Sequence, residues 1–125
     1  MEILKDYEKK VLGLLVSDVL SAEQLNSIVR DSELVGYEYT GSGYFLKIRH
    51  WLLPKERIVC SEPTVIGEAN NIICGFVVFI ENSELVIECH SWGELEVTED
   101  FRNKDVQVKP VTIEEGRFVD LKSMF

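Results

Sequence analysis

The chain has 125 residues, 46% apolar and 28% charged, which fits one globular domain with a single hydrophobic core and excludes a disordered chain. Its net charge of -9 sits in one place: nine acids and no lysine or arginine lie between Ile58 and Phe101, while the remainder balances 13 acids against 13 bases. Phosphates need a basic footprint, so nucleic acid is disfavoured as a partner, and water, a cation or a basic protein is favoured.

Three cysteines without a short repeated spacing do not make a disulfide framework, and point to a reducing, cytoplasmic compartment. Lys9-Lys10 before VLGLLV does not read as a secretory signal, because Glu2, Asp6 and Glu8 sit among the lysines and no small-residue cleavage site follows. No apolar run approaches the ~18 residues that span a bilayer, so no membrane contact is expected.

In chain order, Leu4, Tyr7, Val11 and Leu14/Leu15 set an apolar stripe on a helix across residues 3–16, which Gly13 weakens by about 1 kcal/mol relative to alanine. Ser21-Ala-Glu-Gln24 has the form of a capping box. Leu25, Ile28 and Val29 then make a short second helix ending near Asp31-Ser32. From Val35 the period becomes two. A Gly41-Ser42 turn of type II′, with Gly41 at positive φ, pairs Tyr39 with Tyr44, Tyr37 with Leu46 and Val35 with Ile48, all on one face.

Residues 52–63 carry two prolines and no clean period, and read as an irregular connection before a short strand at Thr64–Glu68. The stretch Ile72–Trp92 reads as the central hairpin. With Asn82-Ser83 in the turn, Ile80 faces Leu85, Val78 faces Ile87, Phe76 faces Cys89 and Cys74 faces Ser91; the other face pairs Phe79 with Val86, Val77 with Glu88 and Gly75 with His90. The first of these strands is apolar on both faces, which suits the middle of a sheet. Val106 and Val108 suggest a further strand, with Pro110 suited to an edge, and a last one runs from Arg117 to Leu121 beyond a Glu114-Glu115-Gly116 turn. The expected architecture is a single α+β domain over residues 1–125, with two N-terminal helices packed on a mostly antiparallel sheet of five or six strands.

Cys60, Cys74, Cys89, His50 and His90 have the side chains of a zinc site but lack a paired motif, and Cys74 and Cys89 share a face with Phe76, Val78 and Ile87, so core packing is the expected role and no metal or cofactor is assigned. Cys89 and His90 point to opposite faces, which argues against a catalytic pair. Glu88 and His90 share a face two residues apart; they make either an ordinary solvated patch or a carboxylate–imidazole site. Gly41-Ser42-Gly43 feeds a strand rather than a helix, and is a turn, not a phosphate loop. No catalytic residue is assigned.

The segments TGSGYF (40–45), GFVVF (75–79) and Leu85–Glu88 followed by CHSWG (89–93) resemble a family of small uncharacterised bacterial proteins with a T-G-x-G-x-F turn and a G-F-x-x-F strand. The resemblance covers roughly residues 35–105, leaves both helices outside it, and has Asn82-Ser83 where the family has Asp-Gly. It implies no activity and no site residue.

The expected function is a small protein-binding module, of the immunity or antitoxin-inhibitor type, that engages a basic partner through Glu88, His90, Trp92, Glu94, Glu96, Glu99 and Asp100. The alternative is a small-molecule or minor hydrolytic site at Glu88 and His90, which requires a concave pocket over that face. Self-association into a homo-oligomer through a sheet edge is a third reading.

Overall fold

The computed structural model describes residues 3–114 and 117–120. Helix α1 (Asp6–Leu15) and helix α2 (Ala22–Asp31) come first. Glu8 Oε1 accepts the Lys5 amide at 2.8 Å and so caps α1. The capping box at α2 forms as expected: the Gln24 amide donates to Ser21 Oγ at 3.1 Å, and the Ser21 amide to Gln24 Oε1 at 2.9 Å.

Strands β1 (Glu33–Tyr39), β2 (Gly43–Arg49), β3 (Ile58–Ala69), β4 (Ile72–Glu81), β5 (Glu84–Ser91), β6 (Gln107–Glu114) and β7 (Arg117–Asp120) follow. They form one antiparallel sheet in the order β1-β2-β5-β4-β3-β6-β7. The α+β class with helices on a sheet is thus observed, and the sheet has seven strands rather than five or six.

The central hairpin keeps every expected pair, from Ile80–Leu85 to Cys74–Ser91. Asn82 (φ 54°) and Ser83 (φ 63°) both take the left-handed conformation of a type I′ turn, whose twist matches that of the strands. In the first hairpin Gly41 has φ 92°, and Tyr39–Tyr44 and Tyr37–Leu46 pair as expected. Val35 does not face Ile48. A bulge between Leu34 and Gly36 gives that place to Leu34 and leaves Val35 as the extra residue.

The irregular connection is shorter than expected. Ile58, Val59 and Cys60 already pair with Ile80, Phe79 and Val78, and the register shift that absorbs Pro63 lies inside β3, between Cys60 and Val65. Pro110 is not on an edge strand, since β6 lies between β3 and β7. It pairs with Val65, while the β7 ladder begins one residue later at Val111, so Pro110 meets a described strand on one side only. The expected Glu114-Glu115-Gly116 turn falls partly outside the described residues.

One face of the sheet carries Leu46, Ile48, Phe76, Val78, Ile80 and Ile87, all buried under α1 and α2 against Val11, Leu12, Leu15 and Ile28. Burying each such side chain contributes about 1.5–3 kcal/mol, which makes this layer the main source of stability. On the other face Lys47, Val86, Phe79 and Val59 form one cross-strand row and Phe45, Glu88 and Val77 the next. No described helix covers these rows, and Phe45 and Val59 remain exposed. Among the described residues no helix is long and apolar enough to cross a membrane.

Candidate functional site

The chain leaves β5 at Ser91 and makes a short excursion before re-entering the core at Val97, which is fully buried. Both ends of the excursion are fastened. The Trp92 and Gly93 amides donate to the Ile73 carbonyl at 2.9 and 3.3 Å. Ser91 Oγ donates to the Ser42 carbonyl at 2.5 Å and accepts the Val97 amide at 2.7 Å, while the Tyr39 hydroxyl donates to the Val97 carbonyl at 2.8 Å. Between these anchors Trp92 is 39% exposed and Leu95 52% exposed, with Glu94 and Glu96 at the surface beside them. Neither glutamate forms an ion pair among the described residues.

The seven expected contact residues fall into three groups rather than one face. Glu88, His90 and Trp92 share the uncovered face of the sheet: the His90 ring meets the Trp92 indole edge-on at 5.7 Å, and both crowd the space over Gly75. Glu94 and Glu96 belong to the excursion. Glu99 and Asp100 lie past Val97 and, with Tyr37, Arg102 and Asn103, line a concavity of about 470 Å³. The split follows from Val97, whose buried side chain turns the backbone inward between Glu96 and Glu99, while Phe101 is buried just beyond Asp100.

The segment is also not free of counter-charge once folded. Arg49 and Lys47 of β2 reach Glu84 at 2.6 and 3.9 Å, and Lys104 reaches Asp100 at 3.5 Å. The Thr98 hydroxyl at 2.6 Å, and then Lys104, hold the Asp100 carboxyl below the usual carboxylate range. A count along the sequence misses such partners because strands bring in bases from other segments.

Glu88 Oε1 stands 3.8 Å from His90 Nδ1, beyond hydrogen-bond reach, and Nδ1 is buried without a hydrogen-bond partner among the described residues. Two concavities lie elsewhere on the molecule. One of about 580 Å³ borders Asn70 and Lys109, and one of about 560 Å³ is lined by Val35, Phe45, Phe79 and Val86. A concave pocket with both side chains converging on it is what the small-molecule reading needs, and none of the concavities described for this surface is lined by either residue.

Cys74 and Cys89 lie buried in the core face, and Cys60 is buried on β3; all three are free thiols. His50 is buried at the end of β2, where its Nδ1 accepts the Leu52 amide at 3.0 Å, so Nε2 carries the proton shared with Ser27 Oγ at 3.3 Å. His90 lies on the opposite face from Cys89. Among the described residues no three His, Cys, Asp or Glu side chains are grouped to hold a metal ion.

Sequence reasoning missed a buried polar network beneath the site. Glu8 is fully buried, and Arg102 reaches it with Nε and Nη2 at 2.9 Å each while donating from Nη2 to the Ile3 carbonyl at 2.7 Å. Tyr44 donates to Glu8 Oε2 at 2.6 Å; its single proton is thereby used, so Tyr7 donates to the Tyr44 oxygen at 2.8 Å. Burial would pull the Arg102 guanidinium down, but the hydrogen bonds and charge of Glu8 outweigh it and hold its pKa above the ordinary value. The Arg102 head also lies 5.5 Å from the centre of the Tyr37 ring. One signal was available: Glu8 occupies the i+4 row between Leu4 and Leu12, both of which are buried.

This network ties α1 to the segment that follows the excursion, so the loop carrying Trp92 rests on the core and is not a free strap. Comparison with family models, with curated proteins and with solved structures gave no match to this chain.

Proposed function

We propose that the protein is a binding module for a basic protein, of the immunity or antitoxin-inhibitor type, and that the loop Trp92–Glu96 is its primary contact. The observation that carries the reading is a loop fastened at both ends that presents an indole and a leucine beside two carboxylates without ion-pair partners among the described residues. Aromatic anchors dominate interface energies, a pre-ordered loop loses little entropy on binding, and uncompensated acids speed encounter with a basic surface. Three free cysteines agree with a reducing compartment.

The test is co-expression with the product of the adjacent gene, followed by titration calorimetry of the purified pair at two salt concentrations. Trp92→Ala, and separately Glu94→Lys with Glu96→Lys, should each weaken binding by about 30-fold, equivalent to roughly 2 kcal/mol. An affinity that ignores both changes and added salt would remove the proposal.

A further inference from the structure

Resting on the reading just given, we infer that the uncovered face of the sheet, over β2, β5 and β4, is the second half of the interface and receives an amphipathic helix of the same basic partner. A sheet with an apolar face is stable when another layer covers it. Helices α1 and α2 do so on one side. On the other side Phe45 is 38% exposed beside half-buried Val77, Phe79 and Val86. The concavity of about 560 Å³ at this place, next to the β1 bulge, is wide enough for apolar side chains presented by a helix.

Charge names the partner. The two bases of these strands, Lys47 and Arg49, both converge on Glu84, whose single charge offsets one of their two. Glu38 and Glu81, at the margins of the same face, form no ion pair among the described residues, and Glu88 has no lysine or arginine partner among them. Glu38, Glu81 and Glu88 outnumber the one base charge left over, so the balance around the apolar centre is acidic, and its complement is an apolar stripe flanked by Lys and Arg, which a helix supplies at i, i+3, i+4 and i+7. His90 and Trp92 lie on this same face, and the chain passes from Trp92 straight into the loop, so one partner meets both.

The experiment uses the full chain, uniformly labelled with nitrogen-15, and a synthetic helical peptide with a leucine stripe flanked by lysines. A second peptide with the same stripe flanked by glutamates is the control. The expected result is shift changes at Phe45, Val77, Phe79 and Val86 with the lysine peptide alone. Phe45→Ser or Glu38→Lys should reduce its affinity by about tenfold, while Glu94→Gln with Glu96→Gln reduces it less. Circular dichroism confirms that each variant is folded; Glu38 is exposed, so its variant keeps the test valid if Phe45→Ser unfolds. Shifts confined to residues 92–96 would overturn the sheet-face inference and leave the loop reading standing. Equal binding of both peptides, no binding, or a face occupied by a second copy in sedimentation would each overturn it as well.

Discussion

Arg102 holds Glu8 through two hydrogen bonds of 2.9 Å, across 94 positions of sequence. The pair is bidentate, the carboxylate is fully buried and the guanidinium side chain only 17% exposed, so it fastens the first helix to the segment behind the display loop.

Removing one partner strands the other. Arg102→Leu leaves a buried carboxylate facing Tyr44 without its base, and should cost about 3 kcal/mol in urea denaturation. Glu8→Leu with Arg102→Leu should recover part of that loss, since no charge is then left buried. Two single variants that each lose under about 1 kcal/mol would show the clasp to be energetically idle.

Alkali should act on the same network. Burial first, and then the Glu8 carboxylate, push the Tyr44 and Tyr7 phenols far above their ordinary value. The folded state keeps those protons after the unfolded chain has released them, so this stability is complete below about pH 10 and is lost as pH rises above it. Cys89, raised by its hydrogen bond with Cys74 and by burial, adds a loss of the same sign. Urea unfolding across this range should fall steeply for the native chain and less steeply for Tyr44→Phe. Parallel slopes would count against the assignment.

Ser83 sits at φ 63°, a conformation that glycine adopts without strain. Its backbone bonds to Pro54 and His50 need no side chain. Ser83→Gly should therefore raise stability by about 0.5–1 kcal/mol, read as an increase of a few degrees in Tm.

Two glycines of one turn should respond differently. A Cβ on Gly43 would lie 1.9 Å from the Cys89 carbonyl oxygen, so Gly43→Ala drives β2 from β5 and should cost roughly 3 kcal/mol or more. Gly41 has open space around it and only the cost of its φ of 92°, so Gly41→Ala should cost about 1 kcal/mol. Equal effects would mean that the strands slide to make room.

The hairpins were legible in the sequence because turn chemistry and alternation specify the same register: every pair from Cys74–Ser91 to Ile80–Leu85 follows from placing Asn82-Ser83 in the turn. The bulge at Val35 was not, because Leu34 and Val35 are both apolar and nothing local says which one faces Ile48. Strand β3 was hidden by Pro63, whose disruption falls within a register shift instead of ending the strand. For the site, the exposed acids and Trp92 were legible as composition, whereas their division at buried Val97 is a tertiary fact. Glu8 and Arg102 carried no sign of each other, since a pair so far apart in the chain leaves no local pattern.

The strand order has a kinetic consequence. Strands β3, β4 and β5 are consecutive and adjacent, joined through Asn70-Asn71 and Asn82-Ser83, so their ladders close short loops at little entropic cost. The wings add through distant pairings, and the segment behind Trp92 is sealed by contacts spanning 58 and 94 residues. Assembly therefore runs outward from the centre, and opening runs inward from the rim. The Val97 amide, held by Ser91 Oγ, should exchange with solvent well before the amide of Val78, which waits for the whole sheet to come apart.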